Sequence, residues 1–344
     1  KTKPTQHSVQ ELRRIGIQPD MMAVRCTQPL LDSTRKKISM FSNVTSTDVF
    51  SCHDVPSIFS VPQILYEQGI VDKIFTKFNK VGMINSAANW DKWNNIVNSM
   101  QNKDGEIKIA MVGKYVTLTD SYVSVNHALK HAAAKIGKSV SIDWIDSEEI
   151  NGNVNDLVKY NGILVPGGFG SRGAEGIIKT ANFAREKNIP YLGICFGFQL
   201  AAVAFGRHVL NYTDANSTEL DPKTSHPVVD LLPEQKTVSN MGGSLRLGAH
   251  DITIKPSTIA YKAYNASHVF RRHRHRYEIN TKYLPEFEKH GLVFSAESDN
   301  SKRMEMLEIP SHKFYFGVQF HPEFNSRPGF PEESFEAFIQ ASAS

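Results

Sequence analysis

Apolar positions Val9, Leu12 and Ile15 recur at helical spacing over residues 9–16, and after the Pro19-Asp20 turn residues 21–26 read as a strand. A helix over 32–42, a short strand over 49–52 and helices over 61–67 and 90–100 follow. The polar stretch Gln101-Asn102-Lys103-Asp104-Gly105-Glu106 then interrupts the periodicity with turn chemistry, the mark of a connection between domains. Beyond it, strands are expected over 107–112, 139–145, 162–165 and 191–194, with helices over 121–136, 175–186 and 199–205. Short apolar strands alternating with helices predict an α/β fold with a mostly parallel sheet covered on both faces. From Thr237 onward the pattern changes to strands and turns, closing with a strand over 315–320 and a helix over 331–341.

A chain of 344 residues suits two domains, and 40% hydrophobic with 22% charged residues supplies apolar surface for both cores. No run approaches the ~18–20 apolar residues of a membrane helix, and Lys1-Thr2-Lys3-Pro4 lacks the apolar core of a secretory signal, so a cytoplasmic location without a membrane partner is expected. The chain opens without methionine inside what reads as ordered sequence, and a segment upstream is expected. Cys26, Cys52 and Cys195 are odd in number and far apart, with no spacing for zinc or a disulfide framework, so no metal site is expected. A net charge of +4 is too mild to call for nucleic acid, although Arg271-Arg272-His273-Arg274-His275-Arg276 concentrates positive charge.

Pro190-Tyr191-Leu192-Gly193-Ile194-Cys195-Phe196-Gly197-Phe198-Gln199 carries the strongest chemical signal. A buried strand runs through Gly-x-Cys-x-Gly straight into a helix, the strand–turn–helix logic of a nucleophile elbow. Such a turn is expected to expose the Cys195 sulfur, and the helix N-terminus behind it favours the reactive thiolate. An inert core cysteine is the commoner fate of a free thiol, and only the flanking glycines displace that reading. The N–H of Phe196 is then one oxyanion donor, and the glycine-rich loop after strand 162–165, at Gly167 or Gly168, is expected to supply the second. Gly137-Lys138-Ser139 is no P-loop: Ala132 stands where the first glycine belongs, and the segment leads from a helix into a strand. At the end of the last strand, His321-Pro322-Glu323 places an imidazole and a carboxylate two residues apart, pointing the same way. Cys195, His321 and Glu323 so make a nucleophile, a base and a group that orients the base.

Pro166-Gly167-Gly168, Gly193-Ile194-Cys195-Phe196-Gly197 and His321-Pro322-Glu323, in this order, resemble the class I glutamine amidotransferases. Lys1 to Val9, Asn216-Ser217-Thr218-Glu219, Met241 to Gly248 and Arg272 to Glu278 narrow the resemblance to the CTP synthase family. It implies a flavodoxin-like glutaminase domain over 107–344, a connecting segment over 81–106 and, over 1–80, the C-terminal portion of a P-loop-type α/β amidoligase domain. The ATP phosphates and Mg2+ ligands of the family belong to a region absent from this sequence. The implied reaction hydrolyses glutamine through a cysteine thioester and passes ammonia to UTP, phosphorylated by ATP, to give CTP. By the same resemblance Gly168, Phe196, Gln199, Glu219 and Arg276 contact glutamine, and Lys1, Lys3, Gln6 and Lys37 contact UTP or the feedback inhibitor CTP. Asp54 and Val55 lie near the ATP adenine, and Phe169 and Arg172 belong to the site of GTP, the allosteric activator. Homotetramers and filaments are implied as self-assembly. The sequence departs from the family at Val269-Phe270-Arg271, where many relatives are acidic, and at Phe196 and Phe198, which replace commoner aliphatics. A glutaminase serving another synthase is the main enzymatic alternative, against which the Lys1 to Gln6 segment argues; the intact triad argues against a purely structural assembly module.

Overall fold

The computed structural model describes residues 2–80, 90–101, 105–118, 120–152, 154–231 and 245–344, which fall into two units, Lys1–Gln101 and Asn102–Ser344. The first contains α1 (Thr2–Arg14), β1 (Met22–Cys26), α2 (Asp32–Ser42), β2 (Val49–His53), α3 (Val61–Glu67), α4 (Ile70–Lys77) and α5 (Trp90–Gln101). β1 and β2 pair in parallel, from Met22 opposite Val49 to Cys26 opposite His53, over a small core of Val24, Ile38, Val44 and Val49. Helix α1 begins seven residues before the periodic pattern does, because its first turns are polar and Val9 is its one buried residue. It ends at Arg14, before a Gly16 held at φ 88°, which leaves Ile15 outside the helix and 68% exposed. Gly69, at φ 78°, separates α3 from α4, a helix the periodicity did not resolve. Of the expected connecting segment, 81–89 and 102–104 lie outside the described residues, as does Lys1; residues 90–101 form α5, whose Trp93 Nε1 donates to the Phe59 carbonyl at 2.8 Å.

The second unit is built on β3 (Ile107–Gly113), α6 (Val123–Lys135), β4 (Val140–Asp146), β5 (Gly162–Val165), α7 (Ala174–Lys187), β6 (Tyr191–Ile194) and α8 (Phe196–His208). It continues through β7 (Asn216–Ser217), β8 (Pro227–Asp230), β9 (Arg246–Ile254), α9 (Ile259–Tyr264), β10 (His268–His275), β11 (Glu278–Ile279) and α10 (Leu284–Lys289). β12 (Val293–Ser298), β13 (Arg303–Glu308), β14 (Tyr315–Val318) and α11 (Glu333–Ala343) complete it. A nine-stranded sheet runs β10-β9-β12-β13-β14-β6-β5-β3-β4, and β11-β8-β7 form a small separate sheet. The five strands β4, β3, β5, β6 and β14 are mutually parallel in flavodoxin-like order, as expected, while β13, β12, β9 and β10 extend them antiparallel.

Alternation along the parallel strands sorts their side chains into two cores. Ala110, Ile163, Val165 and Tyr191 join residues of α7 and α8 on one face. Ile109, Leu164, Leu192 and Ile194 join residues of α6, α9 and α11 on the other. Both faces are buried, which explains why these strands read as continuous apolar runs. Helices α9 and α10 correct the strands-and-turns expectation for the C-terminal part: each spans six residues, too few for a 3.6-residue period to declare itself. Thr237 and Met241 to Ser244 lie outside the described residues.

Candidate active site

Cys195 occupies the turn between β6 and α8 with φ 52° and ψ −96°, a conformation rare for a residue with a Cβ. Its neighbours explain how the turn is held. A Cβ on Gly193 would lie 2.7 Å from backbone atoms of Gly197, and a Cβ on Gly197 would lie 2.4 Å from the Val165 carbonyl oxygen. The two glycines therefore let the elbow fold against its own helix and the next strand, as the G-x-C-x-G spacing predicts. Against expectation, Cys195 is only 2% exposed. The elbow turns it toward a cavity walled by neighbouring loops.

β14 leads to His321, which interacts with the Cys195 sulfur and hydrogen-bonds the Glu323 carboxylate through Nδ1 at 2.9 Å. The His321 backbone N–H is itself held by the Arg272 carbonyl at 2.8 Å, anchoring this residue to β10. Burial would favour the neutral imidazole, but hydrogen bonds and charge from Cys195 and Glu323 outweigh it and raise the His321 pKa to about 10. These contacts favour the imidazolium, which holds its proton beside Cys195. Gly167 sits across from this pair: a Cβ there would lie 2.9 Å from His321 Cε1 and 3.7 Å from Cys195 Cβ, so only glycine brings a backbone this close. Phe196 opens α8, where first-turn N–H groups have no intrahelical acceptor.

A cavity of 340 Å³ gathers these groups at the carboxyl ends of the parallel strands, where α/β sheets place their ligands. Its walls include Tyr115 after β3, Gly167, Gly168 and Phe169 after β5, Cys195 after β6, and His321 and Glu323 after β14. Glu219, Gln199 and Arg276 do not line it. Glu219 accepts from the Gly170 N–H at 2.8 Å, fastening the glycine loop, and Arg276 hydrogen-bonds Tyr277. Gln199 is 3% exposed, its amide donating to the Tyr277 carbonyl at 2.8 Å and to Gln319 Oε1 at 3.1 Å. Lys114, unmarked by the sequence reading, sits 4.0 Å from the Phe196 ring centroid and donates to the Phe169 carbonyl at 3.0 Å. Burial lowers its pKa to about 8, against the pull of Glu219.

Arg172 donates to Glu148 at 2.9 Å and to the Lys114 carbonyl at 2.6 Å, while Phe169 is 43% exposed. In the first unit, exposed Lys3 and half-buried Gln6 share α1, and exposed Lys37 lies on α2. Asp54 is ion-paired with Arg25, and Val55 follows it in the chain after β2.

The basic run resolves by strand alternation. On one face of β10, Arg271 pairs with buried Glu332, and His273 reaches buried Glu305 at 2.8 Å. On the other, Arg272 and Arg274 line the cavity. Sequence reasoning singled out Arg276 and missed these two, although alternate residues of a half-buried strand share a face. It also missed Gln319, wholly buried, whose side-chain amide donates to Cys195 Sγ at 3.8 Å.

Comparison with known proteins follows the same division. A family model described as glutamine amidotransferase class-I matches residues 117–341, and one described as CTP synthase N-terminus matches residues 1–80. CTP synthases of Archaeoglobus fulgidus and Pyrococcus abyssi are each 48% identical over 99% of this chain, which spans 63% of their length. The solved glutaminase domain of Trypanosoma brucei CTPS with bound acivicin is 39% identical, with a TM-score of 0.65 over 69% of this chain and 94% of that one.

Proposed function

Because the chain belongs to the class I glutamine amidotransferases, in the CTP synthase family, we propose that it hydrolyses glutamine at Cys195 and supplies the ammonia for amination of UTP. The observation that supports this best is the strained Cys195 elbow sharing one cavity with His321, whose ring is hydrogen-bonded to Glu323. The Cys195 thiolate attacks the side-chain amide carbon of glutamine, and the oxygen that gains charge is met by the N–H groups of Phe196 and Gly167. His321 delivers its proton to the departing nitrogen, so ammonia leaves and a thioester remains. The neutral imidazole then takes a proton from water, hydroxide attacks the thioester, and glutamate departs as the thiolate reforms. Glu323 keeps the ring oriented and stabilises its charged form throughout.

Gly168, Phe196, Gln199, Glu219 and Arg276 are assigned to glutamine recognition, a cation and a carboxylate suiting the carboxylate and ammonium of a free amino acid. The pairing of a glutaminase with residues 1–80 favours CTP synthesis over service to another synthase. Amination of UTP, use of ATP and Mg2+, activation by GTP at Phe169 and Arg172, nucleotide contacts at Lys1, Lys3, Gln6, Lys37, Asp54 and Val55, a cytoplasmic location and assembly into tetramers or filaments belong to this proposal for the longer protein. Among the described residues no helix is long and apolar enough to cross a membrane. Acid quenching during turnover, followed by peptide mapping, tests the chemistry: a γ-glutamyl adduct on the Cys195 peptide is expected. Glutamate formation with the adduct on another residue would sink the assignment.

A further inference from the structure

We propose that Gln319 is a further catalytic residue, donating its side-chain N–H to the Cys195 sulfur, and that Gln199 is the positioning residue that fixes which end of the Gln319 amide faces the nucleophile. The inference rests on the glutaminase reading above. Its basis is a chain of hydrogen bonds whose direction is set at one end. The Tyr277 backbone carbonyl only accepts, so the Gln199 amide must present its NH2 group there, at 2.8 Å. The same NH2 reaches Gln319 at 3.1 Å and therefore meets its oxygen. The Gln319 NH2 is left facing Cys195 Sγ, at 3.8 Å. Gln319 is 0% and Gln199 3% exposed, so water does not compete for the chain, and a reversed amide would set two donors or two acceptors against each other.

The donor matters because the sulfur changes its hydrogen-bonding character. A thiol donates weakly, and the Arg274 carbonyl lies 3.9 Å from Sγ to accept from it; a thiolate can only accept, and Gln319 offers it an N–H. Gln319 thus favours the form that attacks glutamine and that leaves when the thioester is hydrolysed. The charged and titratable groups around the same cavity are His321 and Glu323 beyond β14, Arg272 and Arg274 on β10, and Tyr115, Asp120 and Tyr122 between β3 and α6. Gln319 differs from them in being neutral and in lying behind the sulfur, outside the cavity wall.

The test is the rate of Cys195 alkylation by iodoacetamide against pH, with glutamate release measured alongside, for the full chain and for Gln319→Met and Gln199→Met. Loss of one hydrogen bond to a thiolate should move the alkylation midpoint of Gln319→Met up by about one pH unit. Gln199→Met should move it by less in the same direction, because the freed Gln319 amide samples both orientations. Thermal unfolding reports whether each variant is folded, and if Gln319→Met is not, the Gln199→Met shift decides. Midpoints unchanged in the folded variants would overturn the inference. An unsubstituted chain that releases glutamate and alkylates at Cys195, alongside variants that titrate like it, defeats this inference alone; an unsubstituted chain that does neither defeats the glutaminase reading.

Discussion

The two halves of the large sheet hold their parts of the site by different physics. In the parallel half, apolar side chains fill both faces, and Cys195 is placed by backbone shape, wedged between glycines that admit no Cβ. In the antiparallel half, charge is buried: Arg246 meets Glu305 at 2.6 Å, Glu305 takes His273 at 2.8 Å, and Arg303 meets Glu278 at 2.5 Å. That network braces β10, whose Arg272 carbonyl holds the His321 N–H, while the Glu305 carbonyl takes the Gln319 N–H at 2.8 Å. The proposed nucleophile is thus fixed by close packing and the proposed base by polar bracing. A buried ionic cluster is a poor source of stability compared with apolar packing, so its value here lies in orientation.

The comparison can be broken at several points. Cys195→Ala removes the nucleophile and should cost at least about a thousandfold in glutamate release, with the fold intact by circular dichroism. Glu305→Gln leaves Arg246 and His273 buried without their carboxylate and should cost about 3–5 kcal/mol in denaturant unfolding. Gly197→Ala forces a Cβ against the Val165 carbonyl and should cost about 1–3 kcal/mol by the same measurement. Gly167→Ala should leave the melting temperature nearly unchanged yet lower kcat by about a hundredfold, because its Cβ displaces His321. Gly168→Ala, whose Cβ would meet Lys114 Cδ at an ordinary 3.5 Å, should unfold in denaturant almost as the parent does.

Titration separates the bracing network from the triad. Burial alone would raise the Glu305 pKa, but His273, Arg246 and Ser298 bring it down from 4.5 to about 2. A lowered carboxylate pKa stabilises the fold above its unfolded value, so this contribution should be complete above pH 4.5 and disappear as pH falls toward 2. His321 has the opposite sign: its pKa rises from 6.5 to about 10, so its contribution is complete below 6.5 and is lost as pH climbs through 10. Imidazole proton resonances of His321 should therefore stay in the charged form through neutral pH, and Cys195→Ala should shift that titration downward by removing one of its causes.

How much of this was legible follows the same division. Gly193-x-Cys195-x-Gly197 and His321-Pro322-Glu323 could be read directly, because a tight turn and a two-residue spacing along a strand leave local marks. The bracing left none. Glu305, His273 and Arg246 come from three strands far apart in sequence, and only their register makes them neighbours. Strand alternation could have marked Arg272 and Arg274 as a pair, but which face of β10 borders the cavity depends on β9 and the loops beyond it. Gln199, one helical turn beyond Cys195, carries no local mark of its further partners, the Tyr277 carbonyl and Gln319, because both are far from it in sequence.

The measurement that bears most directly on the central claim is glutamate release from glutamine by the purified chain, with and without GTP, beside Cys195→Ala. The account predicts release by the parent chain and none by the variant. Equal release from both, or none from a parent chain shown to be folded and supplied with GTP, would contradict it.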